Sequence, residues 1–442
     1  DQRQGLSNYY PTLGFVFEKN DGFNCYHNLL QLRGTKDALV QFNTMDTTVH
    51  GSAVWPFGTD GTLVQFNVFK HLRNPDADCY VCHFDYNCIG TVMQYNYGYD
   101  VQGGLIQVLV NSEGADAFQE DAIARYNVGV DVGWRNKDNS AGIHVSGRAK
   151  RSKIYNNTII TKDRNQYKAI SLNNWGGEYP RYTKIYNNIF YAAGTASTYH
   201  GVSQMKADGN LVSHNLYFGN INPTSGDQNP LTGNPKFANA DGIEAEDFKV
   251  LPESLAIGKG LLIANNGARD WFGNVVSDTV APTIGFHEHQ VFNQLTLTMN
   301  PETGGSATGS GNYYYETNAT ITAVPSNGYH FGYWTGTGVA DANASSSTVF
   351  MAEDRNVTAH FVTDLAAECY VSPSGSDTNP GTLVAPWKTI EKARDTIRSL
   401  TLPEGGVTVW IRGGTHYVDQ TIVFDERDPG TASKPIAYKA YP

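Results

Sequence analysis

This chain of 442 residues has few charged side chains and no long apolar segment. Only 17% of its residues are charged, and the formal net charge of −11 leaves no basic excess. Nucleic-acid binding needs a basic face that neutralises phosphates, so the composition argues against it. No apolar run approaches the roughly 18 residues that a membrane-spanning helix needs. Because the sequence starts at Asp1 without a basic or apolar leader, we expect any signal peptide to have been removed or to lie outside this sequence.

Cysteine is also scarce, and three of the five cysteines fall within the ten residues CYVCHFDYNC. With His83 they offer a conceivable zinc set. Neighbouring residues of a strand point to opposite faces, however, so Cys82 and His83 are poorly placed to bind one tetrahedral ion. We therefore expect one disulfide plus buried thiols, no metal and no cofactor, and nothing in the sequence indicates a calcium site. The cysteines are Cys25, Cys79, Cys82, Cys88 and Cys369.

The first half of the chain repeats one short phrase: an aliphatic residue, a polar residue, an aromatic residue and an asparagine. Successive copies are 24, 29, 31, 30, 31 and 27 residues apart. One short strand in every ~30 residues, without crossover helices, predicts a solenoid, and a parallel β-helix suits this spacing best. We expect the asparagines at a corner, where their side chains bond one coil to the next. They are Asn43, Asn67, Asn96, Asn127, Asn157, Asn188 and Asn215.

The remainder divides the chain into three parts. Residues 1–290 hold the coils and a segment that we expect to close the solenoid. Residues 291–363 are rich in Thr, Gly, Ala and Ser with alternating strands, which predicts a small β-module. Residues 364–442 bring a single amphipathic helix in PWKTIEKARDTIRSL, followed by alternating strands in GGVTVWIRGGTHYVDQTIVF. Its apolar face is formed by Ile390, Ala393, Ile397 and Leu400.

Three stretches carry a resemblance to known families. YVSPSGSDTNPGTLVAPWKTIEKARDTIR resembles the N-terminal cap and first coil of secreted bacterial right-handed parallel β-helix proteins of the pectate-lyase-like superfamily. FDYNCIGTVMQYNYGYDVQGG, KIYNNTI and GARDWFGN…APTIGF resemble their middle coils and closing segment. Residues 291–363 resemble the divergent B-repeat of the internalin type, which is common in surface and secreted proteins. The resemblance implies an all-β, extracellular or cell-surface protein.

The order of these parts differs from the family pattern, because the cap-like segment comes last. A solenoid's first turn exposes strand edges that invite pairing. We expect residues 364–442 to serve an open first coil in one of three ways: by folding back on the same chain, by docking on the next chain, or as part of a longer tandem array. Docking on the next chain would propagate into a filament.

The family is often associated with polysaccharide cleavage, so we searched for acid–base groups. Sugar cleavage needs two carboxylates, or a base with a cation. If the protein is an enzyme, we predict Asp85 and Asp121 as the acid and base, because acidic residues recur there at about the coil spacing. His144, Arg148 and Lys150 would bind the sugar. Turn chemistry and a solvated charged face explain the same residues without any activity.

Two further features have structural as well as functional interpretations. Trp175, in NNWGGEYPRY, offers an aromatic platform for a sugar, although packing or an exposed loop is the more common explanation of such residues. Four Asn-x-Ser/Thr sequons are candidate glycosylation sites: Asn156, Asn318, Asn343 and Asn356.

The sequence therefore favours an extracellular structural β-helix protein that assembles head to tail through residues 364–442. A glycoside hydrolase or polysaccharide lyase on the same solenoid is the alternative, and a glycan-binding adhesin is a second one. Cleavage, binding without turnover, and filaments are the observations that separate these hypotheses.

Overall fold

The computed structural model describes residues 12–74, 79–110, 117–135, 140–162, 168–174, 177–193, 209–224, 226–428 and 430–442. The chain forms two compact units, Asp1–Gln290 and Val291–Pro442. In the described part no helix is long and apolar enough to cross a membrane.

The first unit is built from short strands. In chain order they are β1 Thr12–Leu13, β2 Val16–Glu18, β3 Asp21–Cys25, β4 Leu30–Arg33, β5 Thr35–Lys36, β6 Leu39–Gln41, β7 Thr44–Thr48, β8 Val54–Phe57, β9 Leu63–Gln65, β10 Val68–Leu72, β11 Tyr80–Phe84, β12 Cys88–Ile89, β13 Val92–Gln94, β14 Tyr97–Val101, β15 Gly104–Leu109, β16 Gln119–Glu120, β17 Ile123–Arg125, β18 Val128–Val132, β19 Ile143–Ser146, β20 Ala149–Lys150, β21 Lys153–Tyr155, β22 Thr158–Thr161, β23 Ile170–Asn173, β24 Lys184–Tyr186, β25 Ile189–Ala192, β26 Leu211–Ser213, β27 Leu216–Gly219 and β28 Leu231–Thr232.

These strands stack in register into parallel sheets that run along the molecule. One sheet has the order β2-β6-β9-β13-β17-β21-β24-β26, and a second runs from β3 through β7, β10, β14, β18, β22, β25 and β27 to β28. A third contains β11, β15, β19 and β23. Each strand pairs with the equivalent strand one coil away, which confirms the predicted parallel β-helix. Parallel crossover connections are right-handed in about 98% of cases, which is the hand that the sequence resemblance implies for this solenoid.

The repeated phrase produces a strand and a sharp corner. The middle residue of the three-residue strand in each phrase points inward and is buried, as are Val64 in β9 and Ile154 in β21. The residue before each asparagine has a positive φ, 56° at Tyr95 and 52° at Tyr126, which turns the chain into the next sheet. The asparagine side chain then lies inside the corner and bonds to the next coil.

The predicted ladder of asparagine side chains is present, and each asparagine donates hydrogen bonds to the one in the following coil. At each rung the backbone N–H and the side-chain Nδ2 donate to Oδ1 of the asparagine one coil later; between Asn96 and Asn127 these distances are 2.9 and 3.0 Å. The ladder begins at Asn20, and Asp227 terminates it by accepting from Asn215 at 2.9 Å. A carboxylate suits this end because it accepts hydrogen bonds without requiring an acceptor of its own.

The segment after the last coil lies along the flank of the solenoid rather than only across its end. It contains the 3-10 helix Ala245–Phe248 and packs Phe248 and Phe286 on the outer face of the nine-stranded sheet. Tyr95 Oη donates to the carbonyl of Arg269 at 2.9 Å. Asn156 Nδ2 donates to the carbonyls of Thr283 and Gly285 at 2.8 and 3.1 Å. Hydrogen bonds from polar corner residues thus hold this segment against the solenoid, and its apolar side chains pack on apolar strand residues.

The second unit begins with a module of two small sheets. Its strands are β29 Phe292–Asn300, β30 Gly305–Thr308, β31 Gly311–Tyr314, β32 Asn318–Pro325, β33 Tyr329–Thr335, β34 Ser346–Phe350 and β35 Arg355–Thr363, with a 3-10 helix at Glu302–Gly304. One sheet has the order β31-β29-β35-β33 and the other β30-β32-β34. Trp334, Ile321 and Val357 lie in the core of the module.

Residues 364–442 contain strand β36 Glu368–Val371, helix α1 Ile390–Ser399, and strands β37 Val407–Ile411 and β38 Ile436–Ala440. The three strands form a parallel sheet in chain order. The helix begins where Thr389 caps it by accepting from the N–H of Lys392 at 3.1 Å, and it buries Ala393 and Ile397 as predicted. The strand expected in HYVDQTIVF is absent, and Tyr417 is 86% exposed because no neighbouring strand pairs with it in the structure.

Candidate functional site

The candidate site lies on the outer face of the sheet formed by β11, β15, β19 and β23. Outward residues of a solenoid strand normally meet water, yet here they are both polar and buried. In one row the register aligns His83, Gln107 and His144 with Ser171. His83, Gln107 and His144 have no exposed surface. Buried polar side chains need hydrogen-bond partners, and these four strands supply them together with Ser52 and Trp55 of the preceding coil.

Asp85 follows β11 and lies at the edge of this face. Its side chain accepts a hydrogen bond from the indole N–H of Trp55 and another, at 2.8 Å, from the N–H of Tyr86. Only 1% of Asp85 is exposed. The Trp55 ring stacks on His83 with centroids 5.6 Å apart, so Trp55 contacts both the Asp85 carboxylate and the His83 imidazole. Each carboxylate oxygen of Asp85 therefore has one N–H donor.

The ring of His83 contacts Ser52. Ser52 Oγ accepts from the N–H of Tyr80 at 3.2 Å and lies 2.8 Å from His83 Nδ1. Because a hydroxyl both donates and accepts, Ser52 can donate to Nδ1 of one tautomer or accept from Nδ1–H of the other. A hydroxyl and an imidazole in this arrangement can exchange a proton.

His144 belongs to a second hydrogen-bonded chain. Its Nε2 lies 2.9 Å from Asn173 Nδ2, and its Nδ1 lies 3.3 Å from Gln107 Nε2. A neutral imidazole has only one lone pair, so it cannot accept from both amides. Turning the Gln107 amide over lets its oxygen accept from Nδ1–H, and this also satisfies a buried oxygen that otherwise has no donor. Ser146 Oγ completes the chain by donating to Asn173 Oδ1 at 2.5 Å.

Asp121 lies elsewhere, at the corner after β16, with a φ of 58°. Its carboxylate makes two contacts with Arg151, of 2.8 and 2.9 Å. Arg151 also contacts Glu120 at 2.7 Å, and Lys150 Nζ lies 3.6 Å from Glu120. The two carboxylates hold the pKa of Arg151 above its ordinary value. This is an exposed ion-pair network on two adjacent coils.

The structure therefore groups the predicted site residues differently from the sequence. Asp85 and His144 share the buried face, whereas Asp121 and Lys150 belong to the exposed corner. Arg148 lies in the turn between them, with Nε 3.8 Å from Glu178. Trp175 lies outside the described residues. The Asp85–Asp121 pair and the sugar-binding roles remain predictions.

Sequence reasoning missed the other members of the buried face, which are Ser52, Trp55, Gln107 and Asn173. Each stands alone in the sequence among ordinary strand residues. Only the register brings them together, although aligning the strands that follow the asparagine phrases would have placed Gln107 beside His144.

The five cysteines are free thiols, so the expected disulfide is not formed. Burial raises the pKa of Cys79 and of Cys88 to about 12, and it raises the pKa of Cys82 as well. Cys82 packs inside the solenoid while His83, its neighbour, faces outward. These thiols are unreactive core residues. In the described part of the chain, no three His, Cys, Asp or Glu side chains are grouped as metal ligands.

The four sequons fall into two classes. Asn156 is buried, and the nitrogen that would carry a glycan donates to two carbonyls of the flanking segment, so a glycan there is incompatible with this fold. Asn318, Asn343 and Asn356 are exposed in the β-module. Glycosylation at these three stays a prediction.

Comparisons with known proteins match separate parts of the chain. Residues 295–364 match the divergent InlB B-repeat domain. A stretch of 77 residues is 40% identical to pectate lyase PEL9 of Emericella nidulans and covers 17% of each chain. The structure of XylC in complex with xylose aligns at a TM-score of 0.32 and 12% identity, over 57% of this chain and 50% of that one. The chain thus spans a small part of its curated relative.

Proposed function

We propose that this is an extracellular or cell-surface β-helix protein that assembles head to tail. Residues 364–442 of one molecule would supply the coil on which the solenoid of the next molecule continues. The observation that carries this proposal is that, among the described residues, each unit ends in a strand paired on one side only: β2 at the first coil of the solenoid, and β38 in the sheet of residues 364–442. The similarity of parts of the chain to a B-repeat domain and to a pectate lyase supports an extracellular setting.

Strand β38 presents the downstream edge. It pairs with β37 on one side only and is the last strand of its sheet. Val407 N–H donates to the Pro435 carbonyl at 2.9 Å, and Tyr441 N–H donates to the Ile411 carbonyl at 2.8 Å. Successive peptide groups of a strand alternate sides. The N–H groups of Tyr438 and Ala440 therefore point away from β37, toward the position of a following coil.

Strand β2 presents the upstream edge. It pairs with β6, and no described strand lies on its other side. Leu39 N–H donates to the Phe15 carbonyl at 2.7 Å, so the peptide groups of Val16 point away from β6. Val16 is 55% exposed, and Phe23 in the adjoining strand β3 is 63% exposed. Exposed apolar side chains beside an open edge favour strand addition.

Two proline substitutions would test this assembly. Ala440→Pro removes an N–H on the downstream edge, and Val16→Pro removes one on the upstream edge; neither N–H bonds within its own sheet. Wild-type protein should form long filaments in light scattering and negative-stain images, whereas each variant alone should have the mass of one chain. A mixture should form dimers, because each variant retains the edge that the other lacks.

Ala440→Ser and Val16→Thr keep the N–H groups and serve as controls that should still polymerise. A wild-type protein that stays at the mass of one chain, with a mixture that forms no dimer, would refute docking between molecules.

The buried polar face supports a second candidate function, cleavage of an acidic polysaccharide. Its described residues hold one carboxylate, Asp85, and two imidazoles, His83 and His144. Hydrolysis uses two carboxylates at a controlled separation, whereas β-elimination needs a base and a group that stabilises the enolate. The face therefore favours elimination, in which a base removes the C5 proton of a uronic acid as the C4–O bond breaks. The partial similarity to a pectate lyase agrees with this chemistry.

The absorbance of the new C4=C5 double bond measures this reaction on polygalacturonate. Asp85→Asn and His83→Gln should abolish it, while Asp121→Asn on the exposed corner should leave it within about twofold. If Asp121→Asn loses as much activity as Asp85→Asn, the active site would instead be the Asp85–Asp121 pair predicted from the sequence. Absence of turnover in the wild type would reject the candidate.

A further inference from the structure

The β-module carries an exposed uncharged face that neither proposal uses. It is the outer side of the sheet β31-β29-β35-β33, where the register sets side chains in rows across three strands. One row places Thr298 beside Thr358 and Thr335. The next row places Asn300 beside His360 and Tyr333, and Thr296 lies beside Asn356 on the other side. Neighbouring strands are about 4.8 Å apart, so hydroxyl and amide groups recur at that interval.

Hydrogen bonds hold the centre of this face in one arrangement. Thr298 Oγ1 and Thr358 Oγ1 are 2.8 Å apart. His360 Nε2 lies 2.9 Å from Thr335 Oγ1, and its Nδ1 lies 3.4 Å from Asn300 Nδ2. The Tyr333 ring stacks on His360 with centroids 4.5 Å apart and planes 10° apart. Tyr333 is nevertheless 45% exposed, so the stack presents an aromatic surface to solvent.

The face also lacks charge. Residues 291–363 are all described, and none of the eight side chains in these three rows has a formal charge while His360 is neutral. The whole chain has 43 acidic and 32 basic residues. The charged groups nearest the rows lie at strand ends: Asp354 at one end, and His330 with Asp364, whose Nδ1 and Oδ1 are 2.7 Å apart, at the other. A charged ligand would have no counter-charge within the three rows themselves.

We propose that this face binds a neutral polysaccharide. Such a ligand offers many hydroxyl groups that both donate and accept, and threonine, asparagine and histidine side chains meet them in the same way. Sugar rings also have an apolar side that packs on an exposed aromatic ring. The proposal adds a binding site and ligand class to the protein, and it depends neither on head-to-tail assembly nor on the Asp85 face.

A protein partner fits the same surface less well. The buried centre of a protein interface is mostly apolar, with aromatic residues, methionine and arginine enriched. Here the centre is a row of threonine hydroxyls, and the aromatic pair lies to one side of it. A wet array of hydroxyls is instead suited to ligands that carry hydroxyls of their own.

One sequon bears on this proposal. Asn356 lies on the face itself, two residues before Thr358. A glycan attached to Asn356 would cover the rows, so glycosylation and ligand binding exclude each other there. Protein for the binding test should therefore come from a host that does not glycosylate asparagine.

The test titrates the full chain with soluble β-1,4-linked hexaoses of glucose, xylose and mannose, by calorimetry. Oligogalacturonate of the same length serves as the acidic probe. At least one neutral hexaose should bind, with oligogalacturonate at least tenfold weaker on this face. Tyr333→Ala should weaken neutral binding at least tenfold, and so should Thr298→Val combined with Thr358→Val, which removes two hydroxyls but little volume.

The matched control is Thr320→Val with Thr348→Val, because these threonines face each other on the module's other sheet. That variant should bind like the wild type. The proposal is overturned if none of the three neutral hexaoses binds, or if Tyr333→Ala and the Thr298/Thr358 variant both bind unchanged. Loss of binding only in Asp85→Asn would place the sugar on the solenoid, and loss of self-association in Tyr333→Ala without sugar binding would make the occupant a second copy.

Discussion

At the scale of single residues, the asparagine ladder is the feature that most constrains the solenoid. Asn127 Oδ1 accepts from two N–H groups of Asn96, while its Nδ2 donates to Asn157 and to the carbonyl of Met93. All of these groups are buried. Removing one side chain therefore leaves partners unsatisfied on both neighbouring coils.

We expect Asn127→Ala to destabilise the first unit by about 2–4 kcal/mol, since each unsatisfied buried group costs about 1–3 kcal/mol. Urea unfolding followed by tyrosine and tryptophan fluorescence measures the change. Asn20→Ala is the control, because Asn20 is exposed at the start of the ladder. An equally large shift in Asn20→Ala would argue that the ladder is not what stabilises the coils.

A second residue-scale prediction concerns Glu288 in the flanking segment. Burial raises the pKa of this carboxyl to about 7, the nearby Asp270 charge adds to the shift, and hydrogen bonds from Thr283 oppose it. The folded pKa lies above the ordinary value of 4.5, so folding favours the protonated acid. Stability should therefore fall as the pH rises from about 4.5 to 7.

Glu288→Gln removes this loss because glutamine does not ionise and still accepts from Thr283. Above pH 7 the variant should be more stable than the wild type, by up to about 3 kcal/mol, and near pH 4 the two should match. Urea midpoints across this pH range measure the difference. A constant difference at every pH would mean that Glu288 does not titrate there.

Residue patterns predicted some of these roles and missed others. The asparagines were predictable because their burial recurs at a fixed place in each phrase. The polar residue of the phrase also forms a ladder, with Gln94 donating to Gln65 and Gln65 to Gln41, at 2.8 and 3.0 Å. Asp121 and Arg151 were not predictable as an ion pair, because they are thirty residues apart and only the coil register brings them together.

At the scale of elements, the flanking segment shows how packing overrides local pattern. It contains little regular secondary structure, so the sequence predicted only a closing segment. The structure places it along several coils, where it buries Phe237, Phe248 and Phe286 against strand residues such as Ile189. Its position follows from the apolar outer faces of β14, β18, β22 and β25, whose earlier counterparts in β7 and β10 carry Asp46 and Lys70.

We expect Phe248→Ala to release this segment before the coils unfold. The side chain has no exposed surface, and removing a buried phenylalanine costs about 3–5 kcal/mol. Hydrogen exchange should then increase in residues 236–288 while the asparagine corners stay protected. Phe292→Ala, at an exposed position, is the control. Uniform loss of protection over all coils would show that the segment and solenoid unfold as one.

The helix was readily predictable from its apolar spacing, and the structure adds Thr389 as its N-terminal cap. The strand predicted in HYVDQTIVF failed for the opposite reason: alternation is a local property, whereas a strand forms only when another strand pairs with it.

At the scale of the whole molecule, the open edges of β2 and β38 set the expected behaviour. We expect a chain lacking residues 364–442 to lose the downstream edge formed by β38 while keeping the upstream edge formed by β2. It should remain at the mass of one chain in dilute solution and aggregate irregularly when concentrated. Light scattering and negative-stain imaging would show this, and regular filaments from the truncated chain would refute assembly through residues 364–442.

The parallel β-helix, the asparagine corners, the β-module and the helix of residues 364–442 were all predictable from the amino-acid sequence. They follow from periodicity, which relates residues that are close in the chain or that repeat at a similar interval. The polar groups that meet on the outer face of the third sheet, and the different environments of Asp85 and Asp121, became visible only in the folded chain. The physical reason is register: coil lengths vary from 24 to 31 residues, so the alignment of side chains between coils is set by packing and not by a constant spacing.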